Sequence, residues 1–173
     1  VSDEAASGFV KLGTAADKLT QTFGDDRDEK SGTVGSSSTH YVTVRGLKPQ
    51  TAYFFKLGSG PGKVMYDNQG QAYQVTTAAV LGTPPPADTA YGTVTTAAGS
   101  PAKGAVVYVQ LPGATPVSAL VQDNGNWAVA VSTARTTDLG SYATYDAEIT
   151  VMELLIQSGT AGTATVTVNT GND

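Results

Sequence analysis

The chain has 173 residues, with 10 Lys and Arg against 15 Asp and Glu and a formal net charge of −5. That balance argues against a nucleic-acid partner, which needs clustered cations facing phosphates, and no apolar run approaches the roughly 20 residues of a membrane-spanning helix. Cysteine is absent, which excludes disulfides, thiolate-held metals and thiol catalysis; only 14% of residues are charged, and 25 Thr, 12 Ser and 20 Gly stand in their place.

No basic, apolar, small-residue leader opens at Val1, so the expectation is a mature chain or a fragment. In the first half, short alternating apolar runs between turn residues predict strands at 8–13, 19–23, 40–45, 52–58 and 72–77. Between the second and third runs lies the densest charge cluster, Asp25-Asp26-Arg27-Asp28-Glu29-Lys30. Its carboxylates are hard oxygen ligands of the kind calcium takes. The glycine-punctuated spacing of a calcium loop is missing, however, and Arg27 and Lys30 sit among the would-be ligands, so a solvated loop and no metal are expected. His40 is the single histidine, which leaves no multi-His metal site and no His-based triad; opening a strand beside Tyr41, it reads as a hydrogen-bonded structural residue. Asp67-Asn68-Gln69-Gly70 is turn chemistry.

Gly46-Leu47-Lys48-Pro49-Gln50-Thr51-Ala52-Tyr53, followed by Phe54-Phe55-Lys56-Leu57, resembles the G-L-x-P-x-T-x-Y signature of fibronectin type III domains. The wider pattern is most similar to the variety found before metallophosphatase domains and in bacterial surface proteins, over about residues 1–78. The resemblance implies that Leu47 plugs the core, that Pro49 fixes φ, and that Tyr53 sends its hydroxyl back to the upstream backbone as a tyrosine corner. It implies strands C, C′, E, F and G. Strands A and B of the complete sandwich have no counterpart, since only Val1-Ser2 precedes. An uncovered apolar face and an unpaired edge are association-prone, so either the chain is cut or another chain supplies the strands by main-chain pairing.

Three consecutive prolines at Thr83-Pro84-Pro85-Pro86-Ala87-Asp88 favour an extended linker. The predicted organisation is therefore a first domain over 1–82, a linker over 83–88 and a second domain over 89–173. Beyond the linker, strands are predicted at 90–96, 105–111, 119–122, 126–131, 147–157 and 163–169, with β-branched and aromatic residues enriched. Asp123-Asn124-Gly125-Asn126 predicts a two-residue type I′ hairpin. Trp127, the only Trp, is expected to anchor the second core. Glu153, inside an apolar run, is expected to face solvent or pair with Arg135. The segment 162–169, Gly-Thr-Ala-Thr-Val-Thr-Val-Asn, is expected to be the last strand of its own domain, and its alternation also makes it the candidate for a donated strand.

Tyr91-Gly92-Thr93-Val94, Gly104-Ala105-Val106-Val107-Tyr108-Val109 and Gly125-Asn126-Trp127-Ala128-Val129 look like the opening hairpin and a later strand of carboxypeptidase-regulatory-like and collagen-adhesin B-type sandwiches. That resemblance implies a stalk or spacer. Some collagen-adhesin domains cross-link a Lys to an Asn beside a carboxylate; Lys103, Asn169 and Glu148 or Glu153 are the residues to cast in those parts, though Lys103 falls in a turn. Asp138, Asp146, Glu148 and Glu153 are too scattered for paired acid–base work, and neither a nucleophile elbow nor a phosphate-cradling loop is present.

The expectation is all-β: two tandem immunoglobulin-like β-sandwiches, the first lacking strands A and B. No catalytic, cofactor-binding or metal residue is assigned, and no cofactor. The expected role is an extracellular, cell-surface structural or adhesive protein, a filament subunit assembled by strand complementation, with self-association or neighbouring domains as partners. The rival is a non-catalytic accessory or carbohydrate-binding module of a secreted hydrolase, with a surface glycan as partner and Tyr66, Tyr73, Tyr142 and Tyr145 as the platform.

Overall fold

The computed structural model describes residues 1–60 and 64–172, and these divide into two compact units, Val1–Ala79 and Val80–Asp173. Asp173, the last residue of the predicted second domain, lies outside the described residues. The described residues are all-β apart from one short α-helix and two single turns of 3-10 helix.

Unit 1 is one antiparallel sheet. Strand β1 (Gly8–Gly13) turns tightly into β2 (Gln21–Gly24), and β3 (Ala52–Ser59) lies on the other side of β1. The far edge of β3 is shared by two successive short strands, β4 (Val64–Tyr66) and β5 (Tyr73–Thr76), separated by the Asp67–Gly70 turn. The order is thus β2-β1-β3, then β4 and β5 along one edge.

Two features depart from the sequence reading. The acidic cluster is not a loop: it forms α1 (Asp26–Ser31), capped by the Asp25 side chain, with acids in the first turn and Lys30 in the last, and closed by Gly32 at φ 73°. The second departure is 40–45, which belongs to no sheet among the described residues. Its pattern is that of a strand, but no described strand pairs with it, and α1 takes some of its N–H and C=O groups instead.

Unit 2 has two sheets. The larger has the order β11-β10-β7-β8, from β7 (Val106–Gln110), β8 (Val117–Leu120), β10 (Val151–Gln157) and β11 (Thr163–Asn169); the smaller pairs β6 (Thr89–Thr93) with β9 (Asn126–Ala130). The period of two is plain in β10, where Met152, Leu154 and Ile156 are buried and Val151, Glu153 and Leu155 are exposed. With Val107, Val109, Leu111, Val121, Val131 and Trp127 they form one continuous core, each large aliphatic side chain contributing about 1.5–3 kcal/mol of transfer free energy. Glu153 faces outward, as expected.

The Asn124-Gly125 turn is not the predicted type I′ hairpin. Gly125 alone has a positive φ, 87°; its N–H donates to Gln122 C=O at 3.0 Å, and Gln122 N–H donates to Asn126 C=O at 2.8 Å. Asp123 and Asn124 therefore keep ordinary right-handed backbone and Gly125 takes the single left-handed position after them. The strands it joins belong to different sheets, β8 pairing with β7 and β9 with β6, so a turn matched to one hairpin's twist has no role here.

Candidate interaction surface

Cross-strand partners share a face of a sheet, so the register of unit 1 defines its two surfaces. Val10 lies opposite both Phe23 and Leu57, and Leu12 opposite Phe55. Further along, Leu57 pairs with Tyr66, Phe55 with Tyr73 and Tyr53 with Val75. One face of the sheet is accordingly apolar or aromatic from β2 to β5, with the Phe55 and Tyr73 rings stacked at 5.3 Å.

Half of that face is covered. The extended segment around 40–48 crosses it. A Cβ placed on Gly8 would lie 2.3 Å from Nδ1 of His40, so the imidazole rests directly on β1. At the other end, Lys48 N–H donates to the Tyr53 hydroxyl at 3.0 Å, the contact expected of a tyrosine corner. Beneath this cover Leu12 and Tyr53 are buried. The half over β3, β4 and β5 is bare: Leu57 is 43%, Tyr66 55% and Val75 45% exposed.

The segment is held in place by α1. The Asp25 carboxylate, 4% exposed, accepts from Arg27 Nε at 2.8 Å, Arg27 Nη2 at 2.7 Å, Arg27 N–H at 3.0 Å and Tyr41 N–H at 3.1 Å. Asp26 N–H donates to Tyr41 C=O at 2.8 Å, and the Asp26 carboxylate accepts from Thr43 N–H at 2.7 Å and Thr43 Oγ1 at 2.6 Å. Arg27 Nη2 also donates to Thr39 C=O. Two aspartates thus take the place of a neighbouring strand along one side of the segment.

Burial alone would raise the Asp25 pKa, but hydrogen bonds from the Arg27 side chain and backbone and from Tyr41 N–H outweigh it, and the carboxyl lies below its ordinary value. Burial lowers the His40 pKa, only partly opposed by Asp25. His40 Nδ1 is buried without a hydrogen-bond partner, 3.9 Å from Asp25 Oδ2, while Nε2 lies 3.3 Å from Ser2 Oγ. The acidic cluster is thereby committed to structural contacts, and among the described residues no group of three or more His, Asp or Glu is placed to hold a metal.

Unit 2 has a second uncovered surface. Its smaller sheet has only two strands, so the inward side of β11 has little to face: Val166, opposite Leu154, is 45% exposed and Val168, opposite Met152, is half-buried. The result is a groove of about 320 Å3 floored by Val107, Met152, Leu154 and Ile156, walled by Trp127 and Val166, and bordered by β6. Among the described residues, β6 pairs with β9 alone.

The remaining sequence-flagged residues are dispersed. Lys103 is 64% exposed and pairs with Asp123 at 3.1 Å, not with Asn169 or the glutamates. Trp127 is 6% exposed within the core. Tyr66 and Tyr73 belong to unit 1, Tyr142 and Tyr145 to unit 2, where the Tyr145 hydroxyl donates to Asp88 at 2.6 Å. β11 pairs with β10 over seven residue pairs, serving as the last strand of its own sheet. No described helix is long and apolar enough to cross a membrane. Comparison with protein-family models, with curated proteins and with solved structures gives no match to any of them.

Proposed function

We propose that this chain is a structural or adhesive module of an extracellular, cell-surface protein, and that its first unit is completed by strands it does not itself contain. The observation that carries this reading is the bare half of the apolar face over β3, β4 and β5.

The arrangement is what a fibronectin type III-like sandwich would leave behind if two strands were removed. In that reading β1 and β2 are strands C and C′, β3 is strand F, and β4 with β5 is strand G, in the spatial order C′-C-F-G. In that reading the segment at 40–45, which lies over β1 at His40, corresponds to strand E. In the same reading strands A and B would lie beside that segment and cover Leu57, Tyr66 and Val75. Main-chain pairing and apolar burial are gained in one step by such an addition, which is the physical basis of strand complementation and of filaments built from it. Unit 2 serves as the stalk, a β-sandwich with its own continuous core.

Electron microscopy of native assemblies tests the reading. Regular polymers with foreign strands over β3 to β5 are the expected result. Isolated particles in which that face stays bare overturn the complementation reading.

A further inference from the structure

We propose that the stretch at 39–45 is a latch released by a proton: protonation of His40 frees it from α1 and β1 and uncovers Leu12 and Tyr53. The device lies within unit 1 and is independent of how the chain assembles.

The stretch is fixed at both ends and gripped in the middle. Upstream, Ser37 N–H donates to Ala6 C=O at 2.8 Å and Ala6 N–H to Ser37 C=O at 3.0 Å, while Ser2 N–H donates to Ser38 C=O at 2.7 Å. Downstream, Lys48 N–H donates to the Tyr53 hydroxyl. Gly46, at φ 74° and with open space where a Cβ would stand, is the hinge just before that contact. Between these ends the grip is polar, with Tyr41 and Thr43 held by Asp25 and Asp26.

The hydrogen bonds around His40 suit a neutral ring. Ser2 Oγ donates to Glu4 C=O at 2.7 Å, so it accepts from Nε2–H of His40 at 3.3 Å, and the ring lone pair falls on Nδ1. Nδ1 is buried without a partner, 3.9 Å from Asp25 Oδ2. That oxygen is already taken. It accepts from Arg27 Nη2 and Tyr41 N–H, and Oδ1 accepts from Arg27 Nε and Arg27 N–H. Two donors on each oxygen fill the four lone-pair sites of a carboxylate.

A proton on Nδ1 therefore creates a buried cationic N–H with no acceptor, which is far more costly than a bare lone pair. Two responses relieve it. The ring leaves β1 for water, or it takes Oδ2 from Tyr41 N–H, the longest of the four bonds at 3.1 Å and the one that ties the stretch to α1. Both loosen 39–45. The charges acting on the ring do not reverse this: Asp25 and Asp28 favour the imidazolium, Arg27 and the α-amino group of Val1 oppose it, and burial, the largest influence, opposes it as well. β1 meets the ring with Gly8, which has no side chain to offer. Once the stretch lifts, Leu12 and Tyr53 join Leu57, Tyr66 and Val75 in one uncovered apolar face.

Peptide-resolved hydrogen exchange of the full chain from pH 7.5 to 5.0, expressed as protection relative to the unstructured chain, tests the latch. Protection over 39–45 should lie about tenfold or more below that of β1 and β3, the mark of a local opening. It should also fall about threefold or more towards pH 5.0, because the released ring binds the proton more readily. His40→Gln keeps a donor for Ser2 and cannot take the proton, so the fall should vanish. The chain has one histidine, and its C2–H resonance gives a check that needs no variant: the native midpoint should lie below the ordinary 6.5. Protection over 39–45 equal to that of β1 and β3 overturns the latch, since the stretch then opens only with the whole unit. A fall smaller than threefold, or one that persists in folded His40→Gln, overturns it too. So does an imidazole midpoint at or above 6.5, whether or not the variant folds.

Discussion

Replacing Asp25 with Asn tests the anchoring of the segment at 40–45 by a change of a single charge. The amide keeps one oxygen, which serves either the α1 cap at Arg27 N–H or Tyr41 N–H but not both, because these two donate to different oxygens of the carboxylate. What it loses is the carboxylate facing Nε and Nη2 of Arg27 at 2.8 and 2.7 Å. Hydrogen bonds to charged groups contribute about 1.5–3 kcal/mol net, and breaking a buried pair costs about 3–5 kcal/mol. Arg27 is 26% exposed and recovers some water, so the lower part of this range applies, about 2–3 kcal/mol. For a unit of this size that is about 10–20 °C in Tm. Hydrogen exchange resolved by peptide reads unit 1, and the fluorescence of Trp127, the only tryptophan, reads unit 2 as an internal control. Protection should fall in β1, β2 and 37–45 with the Trp127 transition unmoved. The double variant Asp25→Asn, Arg27→Gln should regain part of the loss, because no unpaired cation remains. A loss in unit 1 below about 0.5 kcal/mol, the range of ordinary surface substitutions, refutes the anchoring argument.

Further outcomes follow from the same geometry. His40 has a lowered pKa, so the folded chain binds fewer protons than the unfolded one just below pH 6.5; stability should fall as pH drops through that range, and His40→Gln should flatten this step in urea midpoints measured against pH. The lowered pKa of Asp25 gives a second loss as pH falls below 3.8, which Asp25→Asn should remove. Gly13→Ala should destabilise unit 1 by about 2 kcal/mol or more by thermal melting, because its Cβ would lie 2.0 Å from the Lys18 carbonyl oxygen, a backbone atom that moves only with the β1–β2 turn. Trp127→Ala should cost unit 2 about 3–5 kcal/mol in far-ultraviolet dichroism melts and leave the amide protection of unit 1 in place.

Strands with a complete local pattern were legible in the residues alone. β1 and β11 occupy the predicted ranges, and β10 alternates along its whole length, though it begins at Val151 and not at 147. The cap, acidic first turn and Gly32 of α1 are all present in the sequence, but one and a half turns carry no apolar period to mark a helix. The prediction at 40–45 failed for a different reason. Its residues do carry the alternation of a strand, but strand formation depends on a neighbour, and which neighbour is present is not a local property. β4 is three residues long, too short to show a pattern. The uncovered face is legible only in register: Leu57, Tyr66 and Val75 come together because β3 carries two strands on one edge, a pairing that residue order does not reveal.

The cation-free stretch that contains β4, β5 and β6 also shapes how the chain meets proteases. No Lys or Arg stands between Lys63 and Lys103, so a trypsin-like enzyme has no cleavage site in the exposed triple-proline junction or in the strands on either side. Such junctions are ordinarily where multidomain chains are nicked first. Here the whole tract between the two units leaves tryptic digestion as one peptide, Val64 to Lys103, and the tie between the units outlasts the exposed lysines of the units themselves.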